Sequence, residues 1–513
     1  MEVLVVKSTF LKNFVGFNGT VQAVFIFLLF PICLTTNFRA RPILANNTFL
    51  WGWNAPTEVC AQKHTVKVDL SLFSLVGSPK PDYAGKGIII FYEDRLGYYP
   101  YIHAHTGKSV NGGIPQLGHL QKHLDQASKQ ISQFIPSNKL GLAVIDWEEW
   151  RPTWIRNWMK KEVYKIRSIE LVQQKDIKLN DSEAAKIAKE EFEKAGRKFM
   201  EDTLNLGKSL RPNYLWGFYL FPDCYNHGYT KPDYNGSCFE REIQRNNRLS
   251  WLWKDSTALY PSIYLKSPLK STPLAALFAR NRILESIRVS KVRGNGNPLP
   301  IFVYVRPVFT DTEEYLSETD LVHTVGEGMA LGVSGIIVWG SLNLSDSMES
   351  CTNIKNYTKI VMNPYIINVT LAAKLCSQVL CNDKGLCIRK NSNSSDYLHL
   401  NPSNFSIRIG KFGKYRVIGK PTLIDLWDFS EKFQCSCFTN TQCKKRVDIH
   451  NIHSVNVCVG KNVCIRACIE SEVSNFISLQ DILNKKSEIL YSSISSMLIK
   501  FIFYILCFDI FYI

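Results

Sequence analysis

The sequence predicts an α/β fold: a distorted TIM-like (β/α) barrel of about seven strands over residues 36–351, then a small disulfide-rich module over residues 352–468. Three observations predict it. Seven apolar runs recur between residues 49 and 339 with little polar alternation, as parallel strands buried on both faces require. Helix-like stretches separate them, and strand–helix alternation builds either a barrel or a doubly wound sheet. No Gly-rich dinucleotide or phosphate loop follows an early run, which disfavours the open sheet.

In chain order, residues 21–35 (VQAVFIFLLFPICLT) form an apolar stretch behind Lys7 and Lys12, so residues 1–35 read as a secretory signal peptide. The strand candidates are Phe49–Trp53, Gly87–Tyr92, Gly141–Trp147, Leu215–Phe221, Ala258–Leu265, Ile301–Val305 and Ser334–Trp339. Helices are expected over Leu117–Phe134, Ser182–Leu210, Pro273–Val289 and Ser317–Leu331. In the second of these, Ala184, Ala188, Phe192, Ala195 and Phe199 make one apolar face, with Asp181 and Ser182 placed to cap its start. From 352 the alternation fades and cysteines crowd among short loops. CSQVLCNDKGLC, followed later by CSC, reads as an EGF-like module; the paired CxxC knuckles of a zinc site are missing. Residues 469–496 are polar and serine-rich, a stalk. The apolar tail 497–513 holds Lys500 and Asp509 and has no basic flank, so it suits a GPI-attachment signal better than a membrane span.

The chain has 513 residues and a formal charge of +16, which calls for a polyanionic partner or surface. The leader and eight sequons, at Asn46, Asn180, Asn235, Asn343, Asn356, Asn368, Asn393 and Asn404, place that partner outside the cell. Nucleic acid is thereby excluded, and anionic lipid or an acidic polysaccharide remains. An exported chain with this many cysteines is expected to be disulfide-bonded.

The chemistry concentrates in GLAVIDWEEWRP, residues 141–152. A strand-forming run ends in three carboxylates between two tryptophans. Residues two apart project to one side, so Asp146 and Glu148 stand together where the strand emerges. Two carboxyls that close do not both ionise cheaply, and one holds a proton near neutrality. Trp147 and Trp150 are expected to stack on sugar rings, and the combination points to glycoside hydrolysis. The other strand ends carry Tyr92, Tyr219, Tyr260 and Trp339, which would line a carbohydrate groove at the C-terminal rim. Glu149 is assigned a structural role, and Lys160, Lys161 and Lys165 a solvated helix face.

Taken together, FLWGWNAPTEVC, FYEDRLGYYPYI, NGGIPQLG, GLAVIDWEEWRP, LWGFYLFPDCYN, ALYPSIY and GIIVWGSL resemble the animal hyaluronidase family of glycoside hydrolases, most of all its sperm-surface branch. The resemblance spans about residues 37–464 and extends to CSQVLCNDKGLCIRK and SSDYLHLNP. It implies hydrolysis of hyaluronan by a retaining mechanism in which the substrate's own acetamide is the nucleophile, with no cofactor or metal. In that reading Glu148 is the acid and base, Asp146 orients the acetamide, and Tyr92, Tyr219, Tyr260, Trp339 and Arg151 shape the groove. Retention of Tyr260 is taken to favour hyaluronan over chondroitin. The resemblance also implies six disulfides: Cys60–Cys351, Cys224–Cys238, Cys376–Cys387, Cys381–Cys435, Cys437–Cys443 and Cys458–Cys464, with Cys468 left over. A GPI-anchored protein of the sperm surface and acrosomal membrane, meeting egg-coat glycoproteins, follows from the same likeness. The competing class is a gamete-surface adhesion protein that uses the groove only to bind glycan.

Overall fold

A computed structural model describes residues 38–469, apart from 45–46, 81–86, 295–296, 411–412, 442, 444–448 and 461–462. The expected leader, stalk and GPI tail, and the sequon at Asn46, lie outside the described residues. Seven parallel strands form one sheet: β1 (Leu50–Asn54), β2 (Leu75–Gly77), β3 (Ile88–Phe91), β4 (Gly141–Ile145), β5 (Tyr214–Phe218), β6 (Phe302–Val305) and β7 (Gly335–Trp339). Their spatial order is β5-β4-β3-β2-β1-β7-β6.

The ring is completed by residues 258–262, which bridge Tyr260 to Tyr219 on one side and join Leu259 to Ile301 and Ser262 to Tyr304 on the other. This stretch was expected as a regular strand. It is not one, because Pro261 has no N–H to give the ladder. The strand absent from the sequence reading is β2, only three residues long and too short to show a period. It lies tight against β3: a Cβ on Gly77 would stand 2.1 Å from the Ile88 carbonyl oxygen, so only glycine fits.

Alternation along the strands divides the core in two. Leu50, Ile88, Ile90, Leu142, Val144, Tyr260, Phe302, Tyr304 and Ile337 fill the barrel interior. Their neighbours Trp51, Trp53, Ile89, Phe91, Ala143, Ile145 and Ile336 face the helices. Both faces are buried, which is why the runs read as continuously apolar. Among the helices are α1 (Leu120–Phe134), α2 (Glu162–Lys175), α3 (Asp181–Leu210) and α4 (Pro273–Ser290). Helix α3 is capped one residue earlier than expected, by Asn180, whose side chain accepts from the Glu183 N–H while Glu183 returns a bond to the Asn180 N–H. That reciprocal pair needs a glutamate three residues past the cap, and only Asn180 has one.

The boundary expected at 351/352 falls inside a helix. Met348–Cys381 runs 34 residues with a π-turn at Thr358–Met362; it is long and apolar enough to cross a membrane, and mostly buried within this molecule. Cys351 on it is bridged to Cys60, and Cys376 and Cys381 at its far end are bridged to Cys387 and Cys435. Bridges Cys224–Cys238, Cys437–Cys443 and Cys458–Cys464 are also formed, and Cys468 is exposed and unbridged. The small sheets of the C-terminal module pack on this helix: Gly385–Arg389 with Phe433–Cys437, Phe405–Ile409 with Tyr415–Gly419, and Ser454–Val459 with Val463–Cys468.

Candidate active site at the C-terminal rim of the barrel

Strand β4 is buried at every position, and the sheet still holds its first residue beyond: the Asp146 N–H donates to Phe91 O at 2.8 Å. On the other side, the Tyr219 N–H donates to Ile145 O at 2.9 Å. Asp146 is thus locked between two neighbouring strands as the chain leaves the barrel. Residue 147 must point the opposite way, into the helical layer. Trp147 there stacks on Tyr99 at 4.4 Å, and Trp150 stacks on the same ring at 5.3 Å while its Nε1 donates to Pro100 O. Both indoles are buried, at 4% and 2% exposure, so the expectation that they stack on sugars is overturned. They wedge the turn in place instead.

Asp146 is half-buried, with its Oδ1 shielded from solvent and making no hydrogen bond to protein. Burial, then the charges of Glu148 and Glu149, push its carboxyl well above the ordinary range against the opposing pull of Arg151. Glu148 has a 44% exposed side chain and faces a cleft of about 580 Å³. Its main chain is clamped by cations: the Glu148 carbonyl accepts from Arg151 Nη1 at 3.0 Å and from Lys161 Nζ, and Arg151 Nη2 lies 3.9 Å from Glu148 Oε2. One carboxyl is therefore enclosed and reluctant to ionise, and its neighbour is presented to solvent.

Around this pair stand the aromatics of the upper barrel. Trp339 Nε1 donates to Tyr92 Oη at 3.1 Å, Tyr264 stacks on Trp339 at 6.0 Å, and Tyr219 donates to Ser262 Oγ at 3.3 Å. Burial first raises the phenols of Tyr92 and Tyr219; the charge of Asp146 adds to it at Tyr92, and those of Glu148 and then Asp146 at Tyr219. Tyr264 shares a side-chain hydrogen bond with Tyr219 and lines the cleft with Glu148 and Arg151. Tyr260 does not join them. It is 0% exposed, donates to Leu215 O at 2.6 Å and stacks on Phe302, one layer down in the barrel core. Its assignment to the groove is therefore corrected, and its retention carries no weight in choosing between hyaluronan and chondroitin.

The cleft wall is cationic: Arg151, Arg156, Lys160, Lys161, Lys266 and Arg282 all line it. Arg156 and Arg282 are engaged with Asp223 at 2.5 and 3.6 Å. Burial raises the Asp223 carboxyl, but Arg282 and Arg156, joined by the Tyr225 N–H and Arg151, hold the group below its usual value. Lys160 and Lys161 were expected on a solvated helix face. They sit in a 3-10 turn ahead of α2, where Met159 takes a positive φ of 52° and all three residues of the turn line the cleft.

A family model described as hyaluronidase, glycoside hydrolase family 56, matches residues 38–447. The chain belongs to this family. Hyaluronidase PH-20 of Macaca fascicularis is 58% identical over 92% of this chain and 93% of its own length. Hyaluronidase PH-20 of Homo sapiens is 58% identical over 92% of each. A crystal structure of bee venom hyaluronidase in complex with a hyaluronic acid tetramer is 29% identical, with a TM-score of 0.54, and covers 62% of this chain and 98% of that one. This hyaluronidase is accordingly a hyaluronan-cleaving glycoside hydrolase.

Sequence reasoning missed Tyr264 and Lys161, two residues that line the cleft with Glu148. Barrel chemistry sits where strands end, so the later tyrosine of ALYPSIY was the better choice. Lys161 leaves no such signal. Tyr264→Phe is expected to lower kcat/KM for hyaluronan about 10- to 100-fold, the loss of one or two polar contacts in the transition state. Tyr260→Phe should leave kinetics unchanged and cost about 1 kcal/mol of stability. Parallel kinetics and melts of the two variants check this, and equal kinetic effects would contradict the layering.

Glu149 adds a pH dependence. Its Oε2 accepts from the Glu148 N–H at 3.1 Å, and burial followed by the charge of Glu93 raises its carboxyl to about 7, against the pull of Lys161. The unfolded group ionises at the ordinary 4.5, so between 4.5 and about 7 the folded state binds more protons. Stability falls as pH rises through that window and is flat above it. Glu149→Gln should remove this fall, melting higher than the parent at pH 7.5 and alike near pH 4.5. Identical pH profiles of Tm would refute it.

Proposed function

We propose that this hyaluronidase cleaves the β-1,4 N-acetylglucosamine–glucuronate bond of hyaluronan with retention, using the substrate's acetamide as nucleophile. Glu148 donates its proton to the glycosidic oxygen as the bond breaks, and the acetamide carbonyl oxygen closes on the anomeric carbon to give an oxazolinium-like intermediate. Glu148, now a carboxylate, takes a proton from water, which opens that intermediate to the retained product. Asp146 accepts the acetamide N–H, and the positive charge that develops on the acetamide draws its raised carboxyl into the ionised form that balances that charge.

The observation that carries this reading is the contrast within the pair. Asp146 is enclosed by strand and tyrosines, with one oxygen lacking a protein partner, so it suits an amide N–H better than attack on a sugar carbon. Tyr92, Tyr219 and Tyr264 give the acetyl group a walled pocket beside Trp339, and Arg151 braces the donor loop. Hyaluronan stripped of its N-acetyl groups tests the mechanism. It should bind and resist cleavage, with turnover down at least about 10³-fold; ready hydrolysis would contradict it.

The rest of the setting follows from the chain's own signals. Asn180, Asn235, Asn343, Asn356 and Asn393 are exposed and Asn368 and Asn404 half-buried, and together with Asn46 they are the proposed glycan sites. The tail anchors the enzyme by GPI at the sperm surface and acrosomal membrane, where it opens the hyaluronan around the egg, meets egg-coat glycoproteins and attacks chondroitin more slowly. Release of cell-surface activity by phosphatidylinositol-specific phospholipase C checks the anchor.

A further inference from the structure

The hairpin Phe405–Ile409/Tyr415–Gly419 in the C-terminal module pairs Arg408 directly opposite Arg416. Like charges across a strand pair repel, so this arrangement costs stability unless something neutralises it. Nothing does: among the described residues neither arginine makes an ion pair, both are exposed, and residues 397–424 include no Asp or Glu. Alternation puts Ser406, Arg408, Lys414, Arg416 and Ile418 on the outward face, with Lys420 just beyond. Phe405, Ile407, Tyr415 and Val417 take the other face and pack inward on the core. Asp69 acts on Tyr415, whose side chain lies on that inner side. This face belongs to the C-terminal module and shares no residue with the cleft that holds Glu148.

We propose that this face is a docking site for a densely sulfated polysaccharide. The register sets the Cα atoms of Arg408 and Arg416 about 5 Å apart across the strands, and that of Lys414 about 7 Å from Arg416 along the chain, so three cationic side chains leave the backbone within a short span. Such spacing asks for several anions within one or two sugar units. Hyaluronan carries a single carboxylate per disaccharide and meets the pair with one anion at a time. A sulfated chain brings two or more, each able to take the forked, two-point bonds that arginine makes with oxyanions. The site would hold the enzyme on sulfated matrix while the cleft works on hyaluronan.

The full exported chain is titrated with a heparin-derived dodecasaccharide at several salt concentrations. Arg408→Ala/Arg416→Ala should weaken binding about tenfold and flatten the salt dependence by about two phosphate-equivalent contacts. Hyaluronan hydrolysis should be unchanged in the same protein, which also shows that it is folded. Arg408→Lys/Arg416→Lys should restore part of the affinity. The control Lys186→Ala/Lys194→Ala removes the same charge from exposed positions on α3 and should bind as the parent does. Equal losses in the control would reduce the effect to net charge and overturn the site. Unchanged binding in the arginine variant, equal affinity of the hairpin for hyaluronan, or preference for phosphatidylserine vesicles would each overturn it too.

Discussion

Glu148→Gln is expected to lower kcat on hyaluronan by about 10³-fold or more, with a folded, substrate-binding protein left behind. The amide has the size of the carboxyl and can still receive hydrogen bonds, but it has no proton to give the departing sugar oxygen. No other group can stand in. Asp146 is fixed at the strand end with its Oδ1 shielded from solvent, and Glu149 is turned back onto the Glu148 N–H. Arg151 and Lys161 hold the main-chain carbonyl of residue 148 and not only its carboxyl, so their grip survives the change and the loop should keep its shape. The check is a single-turnover assay beside a melt and a hyaluronan binding titration. Residual turnover above about a hundredth of the parent rate, in a protein that melts and binds normally, would remove Glu148 from the acid role.

The proposed catalytic pair was legible because β4 is buried on both faces and ends abruptly in charge, a pattern that marks a strand leaving a barrel. The position of Glu148 two residues beyond Asp146 needed only the alternation of extended chain. The same alternation sends Trp147 to the opposite side, so its role in the helical layer was already implied, and reading it as a sugar platform ignored that rule. Tyr260 and Tyr264 differ by depth along one irregular stave, and depth depends on where Pro261 breaks the ladder, which no local pattern reports. Lys161 reaches the Glu148 carbonyl through a turn with a left-handed residue at Met159, an unusual backbone for that side chain. The helix Met348–Cys381 was hidden for another reason. Its cysteines and sequons imitate loop composition, although Ile354, Tyr357, Ile366, Leu375 and Val379 bury its length in the core.

Glu327→Ala should cost about 3–5 kcal/mol of unfolding free energy, the largest stability loss expected outside the disulfides. Glu327 is fully buried and joins two parts of the molecule. It accepts from Arg280 Nη2 of α4 at 2.7 Å and from Tyr397 Oη at 2.8 Å. From the strand Gly385–Arg389 it also receives Arg389 Nη2, at 2.5 Å. Both arginines are buried as well, at 4% and 0% side-chain exposure. Each retains main-chain carbonyl partners, Asn393 and Ser394 for Arg280, Ser392 and Asp396 for Arg389, so removing the glutamate leaves the guanidiniums in place with no counter-charge. The cost comes from that stranded charge more than from the lost bonds. Because the helix Met348–Cys381 and this ion cluster both cross from barrel to module, the two parts should unfold together, and the variant should shift a single transition to lower denaturant. A loss under about 1 kcal/mol would mean that the pocket admits water and the arginines were never dry. A split into two transitions would instead show the cluster to be the tie that makes barrel and module one cooperative unit.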